Sequence, residues 1–155
     1  MEELSYRHLT DADKRQICAW RYTGEYAIYN LPTYEEMQAR QTGFMNAGKE
    51  KNYLGFFDQN VLVGFVNIVE EPMEVFIGIG VNPNLCDRHY GRRMLAQAYE
   101  ISRSRCPHKP LYLEVRTWNT RAIRCYESAG FQIDGKPYEL TTGIGRGTFY
   151  RMIKR

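Results

Sequence analysis

The spacing of apolar and polar residues changes along this chain, and each change marks an element. Residues 4–9, bounded by Leu4 and Leu9, read as a first strand. Thr10 followed by Asp11 and Asp13 is a helix start, with Ile17, Trp20 and Arg21 continuing at helical spacing. Thr33 with Glu36 three residues later matches a capping box, and opens a second helix that runs to about Phe44. From Tyr53 the pattern becomes β-rich. Residues 53–57 and 61–69 flank Asp58-Gln59-Asn60, which reads as a hairpin turn. Pro72 breaks the run and residues 75–81 form another strand. Residues 90–105 are helical, with Tyr90, Met94, Leu95, Ala98 and Ile101 on one face and arginines on the other. A strand over 111–115, a helix over 120–129, a strand over 131–133 and a last strand near 148–153 complete the order. Residues 135–147, rich in glycine, read as a loop.

This order is mixed α/β, with helices first, then an antiparallel meander, then two strand–helix units. The hydrophobic pattern alone supports an α/β or α+β domain. A chain of 155 residues fits one domain, 1–155, and buries roughly 70% of its unfolded surface, enough for a core. The hydrophobic share of 43% and charged share of 25% are ordinary for a globular protein. A net charge of +3 suits a phosphorylated ligand but forms no dense basic stripe, so nucleic acid is not an expected partner. Cys18, Cys86, Cys106 and Cys125 lie far apart, without a Cys-x-x-Cys or a His pair, so no metal site is expected. A disulfide framework does not suit this size, and Met1-Glu2-Glu3 opens no basic-plus-apolar leader, so the expected compartment is a reducing cytoplasm. The apolar runs around 61–66 and 75–81 are too short to span a bilayer, so no membrane partner is expected.

Candidate chemistry concentrates in residues 111–131, LYLEVRTWNTRAIRCYESAGF. Glu114 sits in the strand, Asn119 at the helix start and Tyr126 on the helix. A base, an amide and a phenol held together are a kit for moving an acyl group onto an amine. Each also has a plainer role: Glu114 as a solvated strand carboxylate, Asn119 as an N-cap, Tyr126 as a core tyrosine.

The segment resembles the second block of the GNAT superfamily, the acetyl-CoA-dependent N-acetyltransferases. The pattern Asn-x-x-Ala-x-x-x-Tyr followed by Gly-Phe is present as Asn119, Ala122, Tyr126, Gly130 and Phe131. The Leu113-Glu114-Val115-Arg116 lead-in is similar to that of the ribosomal-protein alanine N-acetyltransferases. The resemblance implies a single domain with a central, mostly antiparallel sheet, a splayed parallel strand pair and flanking helices. It implies Glu114 as general base, Tyr126 as the group that assists the departing thiolate, and Asn119 as a contact of the pantetheine arm. Backbone groups at Ile79, Gly80 and Val81 would pair with pantetheine and polarise the acetyl carbonyl. Acetyl-CoA would enter the gap between the strand ending at Val81 and the one starting at Leu111.

The family cradles the CoA pyrophosphate with Gln/Arg-x-x-Gly-x-Gly/Ala ahead of a helix, whose N-terminus favours anions. Counting from Val81-x-Pro83, the six positions here are Cys86, Asp87, Arg88, His89, Tyr90 and Gly91. Only the last is kept, and His89 stands where glycine lets phosphate approach the backbone, at a cost in crowding or strained geometry. Arg88, Arg92 and Arg93 are cations that can meet phosphates, or a solvated helix face.

Trp20, Tyr22, Tyr26 and Tyr29 lie with Arg21 and Glu25 where GNAT proteins build the acceptor pocket. Tyr26, Tyr29 and Glu25 would suit a cationic amine, though these rings also serve as core. Gly143-Ile144-Gly145-Arg146-Gly147 is followed by a strand rather than a helix, which excludes a dinucleotide site and suggests a mobile rim. The expected activity is direct transfer of acetyl from acetyl-CoA to a primary amine, by a monomer or homodimer. The alternative is a catalytically silent acyl-CoA-binding module on the same fold.

Overall fold

The structure, a computed structural model, describes residues 3–155. Met1 and Glu2, part of the stretch read as leaderless, lie outside the described residues. The chain divides into two compact units, one formed by residues up to Asn67 with Ile79–Tyr90, the other by Ile68–Gly78 with Gly91–Arg155. It passes between them inside two strands and at the first residue of a helix.

In the first unit, β1 (Ser5–His8) pairs antiparallel with β2 (Tyr53–Asp58), which pairs antiparallel with β3 (Val61–Glu70). The β2–β3 turn is two residues, Gln59 and Asn60, both left-handed with φ of 49° and 70°. That is the geometry whose twist matches a right-twisted hairpin. A bulge between Phe56 and Phe57 shifts the register by one.

Helix α1 (Asp11–Ala19) is capped by Thr10, whose hydroxyl accepts from Asp13 N while Asp13 accepts from Thr10 N. The helical spacing was expected to carry through Trp20 and Arg21. It stops at Ala19, because Trp20 turns to extended backbone (ψ 139°) and buries its ring in the core. Helix α2 (Tyr34–Arg40) starts at the expected cap, Thr33. It ends four residues before Phe44, because Gln41 takes a left-handed conformation (φ 53°). A separate 3₁₀ turn then carries Phe44 into the core. That core packs Leu9, Ile17, Trp20, Met37, Phe44 and Leu62 together.

In the second unit, the start of β4 (Val75–Val81) pairs in parallel with β5 (Leu111–Arg116) at Val75–Leu111 and Phe76–Tyr112. Strand β5 pairs antiparallel along its full length with β8 (Gly145–Lys154). Helix α3 (Tyr90–Arg105) buries Met94, Leu95 and Ala98, and α4 (Thr120–Ser128) follows β5. Two-residue β6 (Gln132–Ile133) adds to the far side of β8. The glycine-rich stretch expected as a mobile loop is a hairpin instead. Strand β7 (Tyr138–Thr142) pairs with β8 around a two-residue turn, Gly143-Ile144. The glycines that suggested a loop serve the turn and a close approach of Arg116 to Gly147, where a Cβ would collide with the guanidinium.

The sheet order is β1-β2-β3-β4-β5-β8-β6, with β7 on β8, and β4–β5 is a parallel pair within it. This is the mixed α/β, mostly antiparallel architecture with flanking helices that was expected.

Candidate active site

The first unit carries the expected cofactor backbone and the aromatic cluster. Ile79, Gly80 and Val81 are half-buried at the end of β4. The Val81 carbonyl accepts from Tyr22 Oη at 2.7 Å, so this backbone group is already partnered. Gly80 is pressed by the Phe65 ring: a Cβ there would lie 2.5 Å from a ring carbon. Beyond β4, the buried Asn82 ties the loop to β3, its N–H donating to Val63 O at 2.8 Å and its Nδ2 to Leu62 O at 3.2 Å.

After a single 3₁₀ turn (Pro83–Leu85), Asp87 and His89 both adopt left-handed backbone, with φ of 67° and 65°. The loop therefore keeps the conformation that glycine favours while placing a histidine in it, at a cost on the order of 1–2 kcal/mol. Arg88 and His89 are exposed, and Tyr90 Oη donates to Asp58 Oδ2 at 2.6 Å. In the aromatic cluster, Tyr26 and Tyr29 are half-buried and Glu25 is exposed on one 3₁₀ turn (Gly24–Tyr29). Asn30 braces this turn by exchanging hydrogen bonds with the backbone of Tyr22. Trp20 belongs to the core rather than to a lining.

The second unit carries Glu114, Asn119 and Tyr126. Alternation along β5 buries Leu111, Leu113 and Val115 and turns Tyr112 and Glu114 to the other face, half-buried. Glu114 Oε2 accepts from Tyr138 Oη of β7 at 2.6 Å, while Oε1 has no hydrogen-bond partner among the described residues. Opposite Glu114 in the ladder stands Arg151, whose guanidinium is spent on Glu74 (2.6 and 3.0 Å) and Asp134 (3.1 Å). Burial, then the bond to Glu114, hold the Tyr138 phenol protonated well above its usual range. Tyr112 is held likewise, by burial and by its bond to Glu71.

Asn119 is the N-cap of α4: its Oδ1 accepts from Ala122 N at 3.1 Å, and the residue is buried. Tyr126 is half-buried on that helix, which ends in a Schellman motif. Phe131 N donates to Tyr126 O and Gly130 N to Glu127 O, with Gly130 left-handed at φ 96°. The Gly-Phe pair is thus a helix stop that drops Phe131 into the core. Burial raises the Cys125 thiol, only partly offset by Arg92, so it is not an activated thiolate. Gly91 is buried, while Arg92 is exposed and makes no salt bridge among the described residues.

The model of the Acetyltransferase (GNAT) family matches residues 14–131, ending on Phe131 of the strand–helix block. The chain belongs to this acetyltransferase family. The N-alpha-acetyltransferase RimI of Mycobacterium tuberculosis is 35% identical over 91 residues, covering 56% of this chain and 55% of that protein. The chain thus aligns with about half the length of this curated relative. Among solved structures, the spermidine N-acetyltransferase of Vibrio cholerae in complex with CoA and spermine superposes with a TM-score of 0.75 at 21% identity, over 98% of this chain and 95% of that one. The ribosomal-protein-S18-alanine N-acetyltransferase of Escherichia coli superposes with a TM-score of 0.66 at 22% identity, over 97% and 92%. The resemblance carried by residues 111–131 is borne out at the level of family and fold.

Two side chains given no role by the sequence belong to the chain's polar face on β5, Tyr138 and the Arg116 of the Leu-Glu-Val-Arg lead-in. Tyr138 meets Glu114, and Arg116, only 4% exposed, reaches the carbonyls of Gly145 and Arg146 at 3.4 Å. Tyr138 was hidden because its segment read as loop. Its position opposite Phe149 in β7–β8 is what carries it to Glu114. Among the described residues, no group of three or more His, Cys, Asp or Glu gathers as a metal site. Among them, too, no helix is long and apolar enough to cross a membrane.

Proposed function

We propose that this chain, as one domain, transfers an acetyl group from acetyl-CoA directly to a primary amine. Glu114 accepts the proton of the acceptor ammonium. The freed amine attacks the acetyl carbonyl, the C–S bond breaks, the Tyr126 phenol hydrogen-bonds or protonates the departing thiolate, and the acylated nitrogen gives its remaining extra proton to water. Backbone N–H groups at Ile79, Gly80 and Val81 meet the pantetheine arm and the oxygen that gains charge. Asn119, fixed by its cap bond, contacts pantetheine. Arg88, His89, Tyr90, Gly91 and Arg92 meet the pyrophosphate, and the exposed cations of Arg88 and Arg92 suit that group.

The observation that carries this reading is the condition of Glu114. It is a half-buried strand carboxylate held by a phenol rather than a cation, with one oxygen open. A carboxylate paired with arginine would be a weaker base. The elevated Cys125 thiol favours direct transfer over an acyl-cysteine route. Tyr26, Tyr29 and Glu25 line the acceptor side. The named relatives act on an N-terminal amine, on spermidine and on a ribosomal-protein alanine, and a peptide α-amine or a polyamine is the acceptor class proposed here. A cytoplasmic monomer or homodimer accords with this chemistry.

The left-handed His89 favours a second reading, a silent acyl-CoA-binding module, because its imidazole stands where the family has glycine. Free-thiol release from acetyl-CoA separates the two readings when measured with an alanine-initiated peptide, a lysine peptide, spermidine and an aminoglycoside. Acceptor-dependent release supports transfer. CoA binding without release for any amine supports the silent module.

A further inference from the structure

Glu114 lies on a face of the second unit rich in ionisable groups. Tyr112 and Arg116 flank it at alternate positions of β5, Arg151 faces it from β8, and Tyr138 reaches it from β7. Glu71, Glu74 and Asp134 complete the surroundings, and each of the three is engaged by Tyr112 or Arg151. The cation placed directly across the ladder is the natural partner for a strand carboxylate, at a cross-strand distance where opposite charges pair. Arg151 does not take that role. All three of its guanidinium nitrogens donate elsewhere, two to Glu74 and one to Asp134. What holds Glu114 is a single neutral donor, at 2.6 Å, from a strand 24 residues away.

That strand is itself fixed against β5. Arg116, two residues beyond Glu114 on the same face, reaches across β8 to the carbonyls of Gly145 and Arg146 and lies over the Phe149 ring, 4.9 Å from its centroid. Gly147 admits the guanidinium. Phe149 is the register partner of both Arg116 and Tyr138, so one residue of β8 aligns the base strand with the phenol strand.

From this geometry we propose that Tyr138 is a positioning residue for the base: its hydroxyl clamps Glu114 Oε2, directs Oε1 outward to the acceptor, and stabilises the carboxylate without neutralising it. The proposal rests on Glu114 being the base, but its physical content, a phenol that fixes one carboxylate and whose own proton that carboxylate holds, is measurable without turnover. Tyr138→Phe keeps the ring and removes only the donor.

The test is a pH titration of the Tyr138 ring by ¹³C NMR, assigned by comparison with Tyr138→Phe. In Glu114→Gln the phenol is expected to ionise at lower pH, because the carboxylate no longer holds its proton. An unchanged phenol titration in a folded Glu114→Gln overturns the proposal. The reading of Glu114 as base fails by a different result, undiminished acetyl transfer by Glu114→Gln, which leaves the phenol titration untouched. If both hold, Tyr138→Phe lowers kcat by about tenfold or more with little change in KM for acetyl-CoA, a split that a merely structural tyrosine would not cause.

Discussion

The Phe65 ring lies so close over Gly80 that a Cβ on Gly80 would sit 2.5 Å from one ring carbon and 2.8 Å from the next. Phe65 stacks on Trp20 at 6.3 Å and meets the rings of Phe44 and Tyr53, each at 6.2 Å. The ring is therefore held from several sides. Glycine in a strand interior is costly, and such a position marks a close approach. Here the approach is made by the protein's own ring, whatever else meets that backbone.

Gly80→Ala should destabilise the protein by about 1–3 kcal/mol, the usual cost of overpacking a filled site. Urea unfolding measures it. Because Phe65 is the obstacle, Phe65→Leu should cost less in the Gly80→Ala background than alone. Equal costs in both backgrounds would show that the ring moves aside freely.

How far the sequence was legible depended on whether local rules carried the information. Strand β4 and helix α3 emerge with their observed bounds, because Pro72 and Pro83 punctuate the strand and a clear apolar stripe marks the helix. Asn119 and Gly130 were readable as cap and stop because those roles are local. Trp20 misled, because an apolar ring at helical spacing fits a helix and a core equally well. Strand β7 was lost because Gly135, Gly143, Gly145 and Gly147 suggested a loop, although one of them lies in a tight turn and one admits a packed arginine. The Tyr138–Glu114 bond was out of reach, since it depends on the register of three strands at once.

His89→Gly tests the loop ahead of α3. The left-handed backbone of His89 already has the conformation that glycine adopts without strain, so the replacement should leave the loop's path unchanged. It would also clear the side chain from the position where family members let phosphate approach. We expect CoA to bind roughly tenfold more tightly, about 1.4 kcal/mol, by isothermal calorimetry. Weaker binding would mean that His89 meets the pyrophosphate through its imidazole and not through its backbone N–H alone.

Asp13 sets an acid limit on stability. Burial pushes its carboxyl up, but Arg7, with the Thr10 N–H and hydroxyl, outweighs burial and holds it below the usual carboxylate range. A depressed folded pKa means stability that is fully present above the unfolded value near 3.9 and lost as pH falls through the folded one. Thermal unfolding between about pH 5 and 8 should therefore show no Asp13 contribution to slope, with a decline setting in below about pH 4. Asp13→Asn should flatten that decline while lowering stability at neutral pH.

Tyr126 and Glu114 are separable by acceptor basicity. An α-amino group titrates near 7.7–8.0 and a lysine near 10.4, so at pH 7.5 a base matters far more for the second. Glu114→Gln should slow transfer to a lysine-like amine by about 10²-fold or more and to an α-amine by distinctly less. Tyr126→Phe acts on the other side of the reaction, at the departing sulfur, which is common to every acceptor. Its loss, also about 10²-fold in kcat, should be the same for both amines, with CoA affinity unchanged. Parallel pH–rate profiles of the two variants on both acceptors decide the matter. If Tyr126→Phe discriminates between acceptors as Glu114→Gln does, its hydroxyl serves the amine rather than the thiolate.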